Sequence, residues 1–265
     1  MKFFDSHCHL DLLAKKTDLV SVLAQAKQAG VDRFIVPATT RKSFFQLKNL
    51  KKLYPQQVEL AFGLHPYFLS EHAPSDLSEL ESELIRNPNI IAVGEIGLDF
   101  SPQCAPCLTS KNRQLDLFVS QLKLAKTYQL PVILHHRKSI DVLCKYIKQI
   151  DFQYGGVLHA FAGSLQQAEQ LVELGFKLGV GGTITYTRAQ KTREVIAKID
   201  SEHLLLETDA PDMPICGRQG QLNQPAYLTE IFAHLVKLKS KDKHELAAQL
   251  YANTQQTFTK LSVKR

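Results

Sequence analysis

No stretch of the 265-residue chain approaches the ~20 consecutive apolar residues that a membrane-spanning helix needs, so a membrane protein is not expected. The opening MKFFDSHCHL has one lysine and then runs straight into histidines. It has neither an apolar h-region nor a small-residue cleavage site, and the cytoplasm is the expected compartment. Cysteine is scarce. Five residues, an odd number, argue against a disulfide framework. The one close pair, Cys104-Ala-Pro-Cys107, has no second pair at a zinc-site spacing and no thioredoxin-like unit before it, so it reads as a loop detail. Low-complexity segments, internal repeats and linkers are also lacking, and residues 1–265 read as one domain.

What is there is an ordinary globular composition, 44% hydrophobic and 22% charged, sufficient for a large core. The net charge of +6 suits a polyanionic partner without demonstrating one, because the lysines are dispersed and read as solvated helix faces. Short β-rich runs at 3–8, 33–38, 58–63, 90–95, 131–136, 155–160, 176–181 and 203–208 alternate with amphipathic stretches. Helical spacing is clear at 19–29, 115–128, 165–174, 226–238 and 243–261. Gly30 and Gly175 fall where C-terminal caps belong, and Ser164 where an N-cap belongs. Eight strands, each followed by a helix, predict a parallel α/β fold and most simply a closed (β/α)8 TIM barrel, with a doubly wound open sheet as the alternative. Two longer loops are expected, at about 99–112 and 209–224. In the second, Asn223 is expected to cap the next helix and Pro225 to stand in its first turn.

In such a barrel chemistry gathers at the C-terminal ends of the strands. There the sequence offers His7 and His9, His65, Glu95, His135 and His136, His159, and Asp209. His7 and His9, one residue apart on an extended run, project to the same side. Each residue alone has a bland reading: a hydrogen-bonded edge histidine, an ion-paired glutamate, an aspartate before the Pro211 turn. Together they would crowd imidazoles and carboxylates on one rim with too few partners, and a metal centre resolves that. The number of donors exceeds one tetrahedral site and suits two divalent ions sharing a bridge, for which Glu95, on a middle strand, is the natural candidate.

The set DSHCHL, FGLHP, GEIGLDF, PVILHHR, GVLHAFAG and LLLETDAP resembles, in order and across nearly the whole chain, the TatD family of metal-dependent deoxyribonucleases within the amidohydrolase superfamily. The run ETDAPDMPICGRQGQLNQP looks most like the YjjV-type branch of that family. The resemblance implies that His7, His9, Glu95 and Asp209 hold one metal, that Glu95, His135 and His159 hold a second, and that His65 and Arg137 lie near the substrate. The ions would be Zn, Mg or Mn and the substrate DNA; no protein partner is expected. Two positions depart from the family pattern: Tyr67 stands where many relatives have a second histidine, and Ala162 where a serine is common. Both bear on contacts to a phosphate or leaving group.

In the expected reaction a two-ion site activates water for in-line attack on phosphorus. Asp209 is the expected proton acceptor beside the bridging Glu95, and His65 and Arg137 are the expected donors to the developing charge. Arg218, in the Gly-flanked loop after the last strand, is a further candidate contact to the DNA backbone. One rival is hydrolysis of a small-molecule ester or amide on the same site. Many such enzymes of the superfamily bridge their metals with a carboxylated lysine where this chain has Glu95. The other rival, a non-catalytic nucleic-acid or metal-binding protein, has no use for a poised base at Asp209.

Overall fold

Helices that separate every pair of strands force the strands to run parallel, since each helix carries the chain back before the next strand begins. The computed structural model, which describes residues 1–259, has eight strands: β1 (Phe3–Asp5), β2 (Val31–Pro37), β3 (Val58–Phe62), β4 (Ile90–Asp99), β5 (Val132–Arg137), β6 (Gly156–Leu158), β7 (Phe176–Val180) and β8 (Leu204–Leu206). They are ordered one to eight, every neighbouring pair parallel. The ends meet. The Ser6 amide donates to the Leu206 carbonyl at 3.0 Å and the Asp209 amide to the His7 carbonyl at 2.9 Å, so β8 and the chain beyond it lie against β1. The fold is a (β/α)8 barrel. A doubly wound sheet would need a reversal of strand order that does not occur.

The period of two along each strand divides the core into two clusters. Phe34 and Val36 of β2 face the helices, whereas Ile35 joins Phe4, Ala61, Ile91, Ile133, Val157 and Leu205 in a separate interior cluster. Phe258, from the far end of the chain, completes that interior group and is fully buried. Each of the larger side chains in this group contributes roughly 1.5–3 kcal/mol through burial. Among the described residues no helix is long and apolar enough to cross a membrane.

Local signals explain most boundaries. The Asp18 carboxylate accepts from the Val20 and Ser21 amides and starts the helix Leu19–Gln28, and Gly30 follows its end at φ +85°. Ser164 and Gln167 form a reciprocal capping box on the helix Leu165–Glu173. The helix expected over 115–128 instead spans Leu108–Thr127; its first two turns are polar and carry no apolar periodicity, so the loop before it shrinks to 100–107. The last helix is Lys243–Thr257, and the expected continuation through 260 and 261 lies outside the described residues. Asn223 is not a helix cap. Gln224 precedes the short 3-10 turn Pro225–Tyr227, while the Asn223 amide nitrogen donates to the carbonyls of Thr208, Asp212 and Met213 and knits the loop after β8 together.

Candidate metal centre

The strand expected over 3–8 ends at Asp5, and the chain bends at Ser6 and His7, but its backbone stays tied to both neighbours. The Cys8 amide donates toward β2 at Ile35, the His9 amide toward Ala210, and the His7 carbonyl accepts from Asp209. This alternation turns both imidazoles inward and buries Cys8 among apolar side chains. In β4 the pairing with β5 shifts register between Val93 and Ile96, at the position from which Glu95 enters the barrel mouth. Asp209 sits just past β8 with a left-handed backbone, φ +58°, which aspartate tolerates better than most residues.

Glu95 lies between two groups of donors. Its Oε2 is 3.2 Å from His7 Nε2 and 3.6 Å from His9 Nε2. Its Oε1 is 2.9 Å from His159 Nε2, 3.0 Å from His65 Nε2 and 3.1 Å from His135 Nδ1. Asp209 Oδ1 joins the first side, 3.5 Å from His7 Nε2 and 3.6 Å from His9 Nε2, while those two nitrogens are 3.2 Å apart. Donors held at ~2.1 Å in a tetrahedron around a divalent ion stand about 3.4 Å from one another, so the spacing of the first side fits a metal. The second side fits as well, with His135 Nδ1 3.4 Å from His159 Nε2. The outer nitrogens of His7, His9 and His159 have no hydrogen-bond partner, that of His159 standing 3.8 Å from Glu207 Oε1, so the shorter contacts of these rings are on the inner side. By distance alone His65, Glu95 and His135 also form a possible ligand triad.

The electrostatics follow from burial. Burial pushes the Glu95 carboxyl up, but the combined pull of His65, His159 and His7 outweighs it and holds the group well below the usual carboxylate range. Burial and the stacked His159 ring, 4.0 Å away, push His7 down to about 3. Asp209 is raised by burial despite the pull of His159 and His9, which makes it a stronger base than an exposed aspartate.

A supporting layer of buried groups, which the sequence reading passed over, lies behind these donors. Glu207 accepts the Ala160 amide at 2.5 Å, and burial raises its carboxyl to about 8. Asp5 accepts the Thr208 amide and hydroxyl at 3.0 and 2.5 Å and is raised to about 7, again by burial. Asp99 Oδ2 is 3.3 Å from His135 Nε2. Gln114 and Gln121, seven residues apart on one face of the helix Leu108–Thr127, each pair with both backbone groups of one residue, Asp99 and Leu64 respectively. All three carboxylates lie inside the motifs DSHCHL, GEIGLDF and LLLETDAP. The two glutamines were visible as polar residues on an otherwise apolar face.

A cleft of about 570 Å³ opens above the donors and is bordered by His65, Tyr67, Phe68, Arg137, Ala162 and Met213, among others. Arg137, from the end of β5, is exposed and is the sole lysine or arginine in that lining. Arg218 does not border the cleft. It donates to Glu230 at 2.6 Å and lies over the Tyr227 ring, 4.0 Å from its centroid, so its charge and its planar face are both engaged elsewhere. Tyr67 is 55% exposed at the cleft mouth, and Ala162 is exposed beside it. Cys104 and Cys107 are free thiols in the loop before the long helix and belong to none of the candidate ligand groups among the described residues.

A closed parallel barrel with histidines and carboxylates converging at its C-terminal rim has the architecture of a metal-dependent hydrolase. Known proteins carry this further. The chain is 48% identical over 261 residues to YjjV of Escherichia coli, described as an uncharacterized metal-dependent hydrolase, with 97% of this chain and 98% of that protein covered. It is 42% identical over 265 residues to an uncharacterized metal-dependent hydrolase of Haemophilus influenzae, covering 98% and 100%. The crystal structure of the E. coli YjjV, a TatD homologue, superposes with a TM-score of 0.91 at 46% identity, covering 97% of this chain and 98% of that one. The family profile of TatD-related DNases matches residues 4–259, and the chain belongs to the TatD family.

Proposed function

We propose that this metal-dependent hydrolase is a deoxyribonuclease that cleaves phosphodiester bonds of DNA with two divalent cations, Zn, Mg or Mn. The observation that carries the reading is Glu95, whose two oxygens face opposite donor groups. His7, His9, Asp209 and Glu95 Oε2 would hold one ion, and His135, His159 and Glu95 Oε1 the other. When bound, such ions acidify a water and offset the charge that builds up on a phosphoryl group.

The remaining work falls to the side chains. Asp209 meets His7 and His9 through Oδ1, which leaves Oδ2 to take the proton of the attacking water. Arg137, free at the cleft border, matches the fork geometry of two phosphoryl oxygens. Phe68, Met213 and Leu12 give the cleft an apolar wall on which a base or sugar can rest.

The test is purified protein with Mg, Mn or Zn, offered labelled single-stranded DNA beside a panel of esters and amides. DNA cleavage in the wild type is expected, with turnover in Asp209→Asn lower by roughly 10² to 10⁴ at near-normal metal content. Hydrolysis of the small molecules with DNA left intact would overturn the nuclease reading. It would support hydrolysis of a small ester or amide, a second reading favoured by the single cationic side chain in the cleft lining.

A further inference from the structure

A smaller pocket of about 270 Å³ opens off the cleft and shares Thr183 and Met213 with it. By itself it falls below the ~300 Å³ at which sites for whole small ligands begin, so it suits one part of a molecule whose reacting part lies in the cleft. Its other walls are Tyr186, Arg188, Ala189 and Pro214, from the loops after β7 and β8.

The two loops are fastened to each other. The Tyr186 hydroxyl donates to the Pro214 carbonyl at 2.6 Å, and the Cys216 amide donates to Thr185 Oγ1 at 2.9 Å. Gly182 packs so near Met213 that a Cβ there would stand 2.8 Å from the Met213 carbonyl oxygen. Arg193, on the helix Gln190–Lys198, donates to the Ile184 carbonyl and ties the β7 loop to that helix. A pocket walled in this way is formed before any ligand arrives, which lowers the entropic cost of filling it.

Arg188 is exposed, and its guanidinium lies over the Tyr186 ring, 4.8 Å from the centroid. Among the described residues the arginines paired with carboxylates are Arg33, Arg41 and Arg218, and Arg188 has no such partner. Arg218 has a ring on one face and Glu230 on its charge; Arg188 has the ring alone. The ring positions the planar fork and leaves its N–H edge for an anion. Arg137 ends β5 and Arg188 follows β7, so two cations border one continuous cavity from rims separated by a single strand.

We propose that the pocket of Tyr186 and Arg188 is a second phosphate subsite, in which Arg188 binds the phosphodiester next to the one that is cut. The chain between the two phosphates passes Thr183 and Met213, the walls common to both cavities. This deepens the nuclease reading and rests on it: a nucleic acid strand carries a charge on every nucleotide, whereas a small ester or amide has no second phosphate to reach the pocket.

Two substrates separate the subsite from the reaction. Bis(p-nitrophenyl) phosphate carries one phosphodiester, and a single-stranded oligonucleotide carries several. With Mg, Mn or Zn, Arg188→Ala is expected to cleave the first as the wild type does and the second with KM raised about 10-fold at similar kcat. In salt titrations of a fluorescein-labelled oligonucleotide on chelator-treated protein, the slope of log affinity against log salt should lessen by about 0.7 in Arg188→Ala and return in Arg188→Lys, which keeps the charge. An unchanged slope, or an unchanged KM for the oligonucleotide, overturns the subsite and leaves the nuclease reading standing. Equal losses on both substrates also overturn it, as does a wild type that does not bind the oligonucleotide. A slope that depends on Arg188 in a protein that cuts no DNA supports the subsite and defeats only the nuclease reading.

Discussion

At the scale of the residue, Glu95 and Gly97 have separate tasks in one motif. If Glu95 serves both groups of donors, Glu95→Ala should disturb both ions whereas His135→Ala mainly empties one, and metal counting on the two variants checks this. Equal retention of two ions in Glu95→Ala would remove the bridge. Gly97 stands opposite His135 in the β4–β5 pairing, at φ +140°, and a Cβ there would run into the His135 backbone carbonyl. No other residue both accepts that angle and fits that gap. Gly97→Ala is therefore expected to lower the thermal midpoint and to weaken the second ion, read by calorimetry and metal titration of one preparation.

At the scale of the element, the helix Leu165–Glu173 depends on its capping box. Ser164→Ala should reduce unfolding stability by about 1 kcal/mol in denaturant titration with little change in metal content, since the cap satisfies backbone donors and does not touch the barrel mouth. Elements of this kind were legible before the structure was known. All eight strands lie where alternating β-rich runs placed them, and the order one to eight follows from a helix after each. Side chains in phase with a strand or helix announce their environment. The first turns of the helix Leu108–Thr127 were not legible because they are exposed and polar, and Asn223 was misjudged because an amide that ties three carbonyls looks, in sequence, like any cap before a proline. Histidines and acids at strand ends were picked out by residue type alone. Asp5, Asp99 and Glu207 were not, because each acts by its buried contacts, which have no signature beyond a carboxylate near a motif. Arg218 illustrates the converse: a loop position suggested a partner in solution, and Glu230 and Tyr227 occupy it.

For the molecule as a whole, charge stored in the barrel mouth couples folding to metal and to pH. An ion that binds the folded chain and not the unfolded one raises stability with its concentration, so the thermal midpoint should climb as Mn or Zn is added to chelator-treated protein. A midpoint unmoved by saturating metal would contradict a preformed site. Glu207 makes a contribution to the pH dependence whose sign is fixed. Burial lifts its carboxyl from 4.5 to about 8, so between those values it is protonated when folded and ionised when unfolded. The unfolded chain then binds fewer protons, and stability falls as pH rises through that window. Glu207→Gln removes this titration. The metal-free variant should lack this contribution, so its stability relative to the metal-free wild type should rise steadily from pH 4.5 to 8, read by denaturant titration at several pH values.

The seam of the barrel runs between its first and last strands, where the Asp209 amide meets the His7 carbonyl and the His9 amide meets Ala210. His7 and His9 thus wait for a donor contributed about two hundred residues later. During synthesis the histidines are made well before Asp209, and no assembled pair of strands sets them against it until the eighth strand has followed. Assembly of that side therefore waits on synthesis of the eighth strand, and a chain cut short before it carries the histidines without Asp209 set against them.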